Sequence, residues 1–189
     1  MKLKTIYIIF ACCILYTCGN SKQVEVLDGS NSLLSLKNGV LYYNELPFAG
    51  ALVSYYSKEQ LKSEVHYLKG KKHGQEKKWY ANNDLAEVRF YINGNKSGTH
   101  KAWWSNNSEK FVYHFNEKGE YHGEVLEWYK TGQVFKAFNY INGKEVGSQQ
   151  LWQINGNIKG NYEVVNGERF GLIGLKKCYA VTTNSDEVN

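Results

Sequence analysis

The sequence predicts an all-β fold, an elongated and twisted stack of antiparallel β-hairpins with about five 24-residue units and an end cap on each side. Three observations predict it. Glycines recur at intervals of 24 or 25 residues, at positions 50, 74, 98, 123, 147 and 171. Each interval contains two clusters of turn-forming residues, and the only proline, Pro47, lies before the five units. A fixed period of this length is typical of stacked supersecondary units.

The first strand of each unit carries aromatic residues and ends in a polar turn. An aromatic residue follows the leading glycine by five positions, and in four units a second comes directly after it. The polar clusters that follow read SKEQ, ANND, SNNS, KTGQ and INGN, and such residues favour turns. The segments between turns are only about six to eight residues long, which favours strands over helices.

The second strand of each unit ends in a tighter turn. Tyr67, Tyr91, Phe115 and Tyr140 recur in phase, and Val164 replaces the aromatic residue in the fifth unit. Lys-Gly or Asn-Gly follows in four units, and Asn-Gly between strands predicts a type I′ hairpin turn. In the third unit Gly119 comes one residue late, which accounts for the single 25-residue interval.

The domain boundaries follow from the limits of this pattern. Residues 1–17 are interpreted as a lipoprotein signal peptide and residues 18–31 as a flexible tether. Residues 32–181 form the predicted repeat domain, and 182–189 a disordered tail. Within the domain, 32–49 predict an N-terminal cap made of a strand, a turn at Asn38-Gly39 and a second strand from Val40 to Tyr43.

Two rows of aromatic residues are the candidate binding surface. Because side chains alternate along a strand, we expect the rows on opposite faces, one enclosed and the other partly exposed. They are interpreted either as the core of a thin sheet or as a stacking platform for sugar rings, a peptide or an apolar partner. The first row is Trp79, Trp103, Trp128 and Trp152, and the second is Tyr56, Tyr80, Trp104 and Tyr129.

The N-terminus predicts a lipid anchor. Lys2 and Lys4 precede a short apolar stretch, and Leu15-Tyr16-Thr17-Cys18 followed by polar residues resembles a bacterial lipobox. Cys18 is therefore the predicted acylation site, where two or more fatty chains make a stable membrane anchor. Cys12 is a second candidate, and an ordinary signal peptide with incidental cysteines is the alternative.

Charge and motifs argue against several classes of function. Formal net charge is +5, and removal of 1–17 takes away two lysines and no acid, which leaves +3. Such a small, interspersed excess does not indicate a nucleic-acid partner. His66 and His114 share one repeat position two units apart, about 20 Å by strand spacing, so they cannot share one metal ion. Catalytic motifs and phosphate loops are missing, and we expect no enzymatic activity and no cofactor other than the lipid.

The units resemble the MORN repeat variant family. The resemblance covers about residues 39–174 and rests on G-x4-[WY]-[YW], a polar turn, a strand and [YF]-x-N-G, as in GEVLEWYKTGQVFKAFNYINGKEVG. The fifth unit departs from the pattern at Gln153 and Val164. The resemblance implies an antiparallel hairpin stack that mediates protein or membrane contacts, and many bacterial members carry an antitoxin label. It supplies no catalytic residues.

Together these features predict a non-enzymatic lipoprotein of the bacterial cell envelope, anchored in the outer membrane. Its repeats are expected to bind another protein, whose identity stays open. The alternatives are a toxin-neutralising partner, which rests on the resemblance alone, and a glycan-binding module that uses the aromatic rows.

Overall fold

The computed structural model describes residues 25–174, and within this range every regular element is a β-strand, which confirms the predicted fold class. Residues 1–24 and 175–189, which include the predicted signal peptide, Cys18 and the predicted tail, lie outside the described residues. The strands are Val26–Asp28 (β1), Leu34–Lys37 (β2), Val40–Tyr43 (β3), Leu46–Pro47 (β4), Gly50–Ser57 (β5), Gln60–Leu68 (β6), Lys71–Trp79 (β7), Leu85–Ile92 (β8), Asn95–Lys96 (β9), Gly98–Trp103 (β10), Glu109–Phe115 (β11), Gly123–Trp128 (β12), Val134–Ile141 (β13), Lys144–Trp152 (β14), Ile158–Val165 (β15) and Glu168–Leu172 (β16).

The strands form one long sheet and one small one. The long sheet has 13 strands in the order β1-β5-β6-β7-β8-β10-β11-β12-β13-β14-β15-β16, with the two-residue β9 beside β8. From β5 onward each strand on this path pairs antiparallel with the next one, as a stack of hairpins requires, and β10 pairs with β8 because β9 lies off the path. Strands β2, β3 and β4 form the small sheet, which is the predicted N-terminal cap.

Both kinds of predicted turn are present. At Asn38-Gly39, Asn93-Gly94, Asn142-Gly143 and Asn166-Gly167 both residues have positive φ, as a type I′ turn demands. In the second, third and fourth units the polar cluster makes a longer turn in which the second aromatic residue bonds across the loop, as where the Tyr80 N–H donates to the Asp84 carbonyl at 2.8 Å. The late Gly119 belongs to a turn of this longer kind, since the Asn116 N–H donates to the Glu120 carbonyl at 3.0 Å.

The periodic glycines mark bulges between successive units. Val65 pairs with Glu76 and Tyr67 with Lys72, so the three residues 73–75 lie opposite the single residue His66. At the centre of this bulge Gly74 has a φ of 92°, a conformation that costs little only for glycine. The same irregularity recurs at Gly147, with a φ of 63°. Because bulges bend a strand and increase its twist, their regular recurrence curls the sheet.

The core lies on one face of this curled sheet. Successive register pairs place Val125, Phe138, Gln149 and Tyr162 in one row across four strands. Val125, Phe138, Tyr162 and Val164 form the main buried hydrophobic cluster. The aromatic residues of the two candidate rows are not part of it.

Polar side chains occupy the same row in three units. Glu76, His100 and Gln149 each lie two residues after a leading glycine, and they are 4%, 1% and 0% exposed. His100 Nε2 donates to the Phe90 carbonyl at 2.8 Å, and Gln149 Nε2 donates to the Asn139 carbonyl at 2.9 Å. Asn139 lies opposite the Gly147 bulge, where ladder pairing is interrupted, so the side-chain amide supplies a missing partner.

The N-terminal boundary differs from the prediction. Val26–Asp28, assigned to the flexible tether of 18–31, forms β1 and pairs in parallel with Ala51–Val53. The tether prediction is therefore wrong for these residues. Polar Asp28, Gly29 and Ser30 look like a linker in the sequence, but the first strand of the stack has a free edge, and backbone pairing to that edge does not depend on side-chain pattern.

Candidate aromatic binding site

The aromatic pairs of the first four units and Trp152 of the fifth lie along one margin of the long sheet. Each first-position residue lies at or near the end of a strand that enters a polar turn, and alternate strands of an antiparallel sheet end on the same side. We call this set the aromatic margin: Tyr55, Tyr56, Trp79, Tyr80, Trp103, Trp104, Trp128, Tyr129 and Trp152.

Second-position residues of the margin tie each unit to the next. Three hydroxyl groups donate to the backbone carbonyl of the first-position residue one unit later, at 3.1 Å from Tyr56, 2.8 Å from Tyr80 and 3.1 Å from Tyr129. In the third unit the indole Nε1 of Trp104 makes the equivalent bond to the Trp128 carbonyl at 3.1 Å. The recurring Tyr or Trp is explained by this bond, because both combine a large apolar ring with a polar donor.

The margin is neither a core nor a fully exposed surface. Tyr55 and Tyr56 are 43% and 46% exposed, and the seven other margin residues are half-buried. The expectation that one row is enclosed and the other partly exposed is therefore wrong for the enclosed row, since both rows are partly exposed. Bulges before Trp79, Trp103, Trp128 and Trp152 break the simple alternation of side chains on which that expectation depended.

The margin widens into a pocket at the junction of the third and fourth units. The pocket has a volume of about 340 Å³ and is open to solvent on one side. Phe111 and Tyr113 stack in parallel with ring centroids 4.2 Å apart. Tyr129 and Phe135 meet edge-on at 5.2 Å. Its lining comprises Trp104, Lys110, Phe111, Tyr113, Glu127, Trp128, Tyr129 and Phe135.

Three charged groups border this apolar pocket. Lys110 Nζ lies over the Trp104 ring, 4.5 Å from its centroid. Glu127 is part of the lining, and Lys136 Nζ lies 3.5 Å from its carboxylate. Burial raises the pKa of the Tyr113 hydroxyl, and the charge of Glu127 raises that pKa further.

In the second unit, charged side chains occupy the positions that correspond to the aromatic floor of the pocket. Where the third unit has Phe111 and Tyr113, the second unit has Glu87 and Arg89, which form an ion pair with each other. Lys78 Nζ also lies 3.0 Å from the Glu87 carboxylate. Ala102 is the third-unit counterpart of Glu127 in the fourth unit, since Ala102 pairs with Glu87 of the second unit just as Glu127 pairs with Phe111 of the third. The aromatic floor is thus a property of one unit and not of the repeat.

A second polar cluster lies nearby on the same face. Lys72 Nζ is 2.7 Å and Lys78 Nζ 3.6 Å from the carboxylate of the buried Glu76. Burial by itself would raise the pKa of Glu76, but the hydrogen bond and charge of Lys72, followed by the charge of Lys78, outweigh it and lower that pKa. This cluster neutralises a buried charge, which is a structural role.

Sequence reasoning identified three of the eight pocket residues. Trp104, Trp128 and Tyr129 belong to the predicted rows and do line the pocket, whereas Trp79, Tyr56 and Tyr80 lie in other units. It missed the floor residues Phe111 and Tyr113, whose alternation with Val112 is the signal that a unit-by-unit comparison would have found.

No group of three or more His, Cys, Asp or Glu side chains that could hold a metal ion occurs among residues 25–174. Nor does this range contain a helix long and apolar enough to cross a membrane. No family model matches the chain, and no curated protein matches it. The resemblance to the MORN repeat variant family therefore stays a prediction.

Proposed function

We propose that this protein is a non-enzymatic, lipid-anchored component of a bacterial envelope whose repeat sheet binds another protein. The observation that supports it is the aromatic margin, which runs through five units and is held by a regular series of inter-unit hydrogen bonds. Extended repeat surfaces of this kind are commonly used for binding, and Tyr and Trp are enriched at protein interfaces.

The first unit is the part of the margin best suited to a protein contact. Tyr55 and Tyr56 are the two most exposed aromatic residues of the margin, and Lys62 Nζ lies 5.5 Å from the Tyr56 ring centroid. An amphipathic ring beside a cation provides apolar area together with polar contacts, as hot-spot residues do. This unit also lies closest in sequence to Cys18, so an anchored molecule would present it near the membrane.

Site-specific photo-cross-linking tests the protein contact. A photoreactive amino acid at Tyr56 should give a discrete cross-linked species in the native cells, and Tyr55→Ala should weaken it. Glu124, an exposed residue of β12 outside the margin, is the matched control position. Equal cross-linking from position 124, or none from position 56, would argue against the margin as an interface.

The anchor is tested separately with a fatty-acid probe. Metabolic labelling should mark the wild-type protein, and Cys18→Ala should abolish the label while Cys12→Ala keeps it. A label that persists in Cys18→Ala would refute this assignment. The toxin-neutralising alternative stays a prediction of the resemblance.

A further inference from the structure

We propose that the pocket between the third and fourth units is a carbohydrate-binding site that takes one neutral sugar ring. It is distinct from the protein contact proposed for the first unit. We call it the third-unit pocket, with the eight lining residues given above.

The walls of the third-unit pocket suit a ring with an apolar face. The half-buried side chains of Trp104, Trp128, Tyr129 and Phe135 line it with aromatic surface, and Phe111, only 8% exposed, lies beneath them. At about 340 Å³ the pocket is at the small end of the usual range for ligand sites. Pyranose rings carry C–H groups on a flat face and hydroxyl groups around the edge. Such a ring can stack on the aromatic surface while its hydroxyl groups reach the charged border.

The charges at the border select against other ligands. A cationic ligand would be repelled by Lys110, whose Nζ lies over one face of the Trp104 ring. An anionic ligand would meet the Glu127 carboxylate inside the lining. Hydroxyl groups both donate and accept, so a neutral sugar can donate to Glu127 and accept from Lys110 without an unpaired charge.

The small size of the pocket favours one sugar ring as the ligand over another protein. A stable protein interface covers about 800 Å² on each partner. In the second unit the corresponding space is filled by Glu87 and Arg89, so the aromatic floor does not continue along the stack. A binding point of this size matches one sugar residue of a longer glycan.

A transplant from the second unit provides the sharpest test. The triple variant F111E/Y113R/E127A gives positions 111, 113 and 127 the residues found one unit earlier at positions 87, 89 and 102, where Glu87 and Arg89 form an ion pair. Full-length protein is titrated with hexasaccharides of β-1,4-glucose, α-1,4-glucose, β-1,4-xylose and β-1,4-N-acetylglucosamine, and tryptophan fluorescence is followed.

We expect saturable binding of at least one hexasaccharide by the wild-type protein and an affinity at least about tenfold lower in the triple variant. Glu127→Gln, which keeps the pocket shape, should also weaken binding, whereas Glu124→Gln on the same strand should not. These two single variants keep the test valid if the triple variant does not fold.

Three outcomes would overturn the proposal: no fluorescence change with any of the four sugars, equal binding by the folded triple variant, or equal loss in Glu127→Gln and Glu124→Gln. Cross-linking from position 56 is unaffected by all three, so failure here is distinguishable from failure of the protein contact.

Discussion

Replacement of the buried Gln149 by valine tests the role assigned to the polar row. The Gln149 side chain is fully buried, and its Nε2 donates to the carbonyl oxygens of Asn139 and Val146, both at 2.9 Å. Its Oε1 accepts from the Asn139 N–H at 3.3 Å. Valine is the natural choice, because Val125 occupies the equivalent position one unit earlier and is equally buried.

The expected loss in the free energy of unfolding follows from the backbone groups that lose their hydrogen-bond partner. Each buried polar group without a partner costs about 1–3 kcal/mol, and three backbone groups lose their side-chain partner. Burial of the valine side chain offsets roughly 1.5–3 kcal/mol of this. Since Asn139 and Val146 are only half-buried, water replaces part of the lost bonding. We expect Gln149→Val to lower the free energy of unfolding by about 2 kcal/mol.

Urea denaturation followed by tryptophan fluorescence measures this change, as a shift of the midpoint by about 1 M at unchanged slope. Gln150→Val is the matched control. Gln150 is adjacent, points to the other face and makes only a 3.5 Å contact with Asn161, so we expect a change within about 0.5 kcal/mol. An unchanged or higher stability of Gln149→Val would refute the idea that this amide replaces missing ladder bonds.

Three further predictions concern other parts of the stack. Burial lowers the pKa of His100 below its ordinary 6.5, so the unfolded chain takes up a proton before the folded protein does, and the free energy of unfolding should fall as pH drops below 6.5. Urea midpoints measured from pH 7.5 to 5.5 should show this decrease in the wild type and a smaller one in His100→Gln. Tyr129→Phe removes the hydrogen bond to the Trp152 carbonyl and should cost about 0.5–1.5 kcal/mol in the same assay. Gly70→Ala should destabilise the cap far more than Gly39→Ala. The two glycines have nearly the same φ, 73° and 75°, but only a Cβ at position 70 would clash with atoms of the cap, the nearest at 2.4 Å. Limited proteolysis reports release of the cap.

Each of these has an outcome that contradicts it. The same pH dependence in wild type and His100→Gln would mean that another group titrates. A neutral Tyr129→Phe would show that the inter-unit bond adds nothing beyond the ring. Equal proteolysis of the two glycine variants would attribute the effect to backbone strain alone and not to the contact between the cap and the first hairpin.

Local signals in the sequence were enough for the architecture. Strand length, Asn-Gly turns and the glycine period all follow from the conformational preferences of a few residues, so the hairpins and the N-terminal cap were predicted correctly. The curled face was harder to predict. Glu76, His100 and Gln149 share a repeat position, but their polar character hides the fact that the position is buried, since burial there depends on partners across the bulge.

The pocket, too, was predictable from the sequence only in part. Its Trp and Tyr walls are visible in the sequence because they repeat. The sequence shows Phe111 and Tyr113 as a departure from the other units, but only the structure shows that Phe111 lies opposite Glu127 on the neighbouring strand. β1 is a similar case, because backbone pairing with β5 leaves no periodic mark in the three residues that make it. By itself, then, the sequence determined the repeat, the turns and the all-β class, because these depend on local backbone preferences. Only the tertiary structure decided which side chains are buried and which unit holds a pocket, because bulges reset the alternation of side chains from strand to strand.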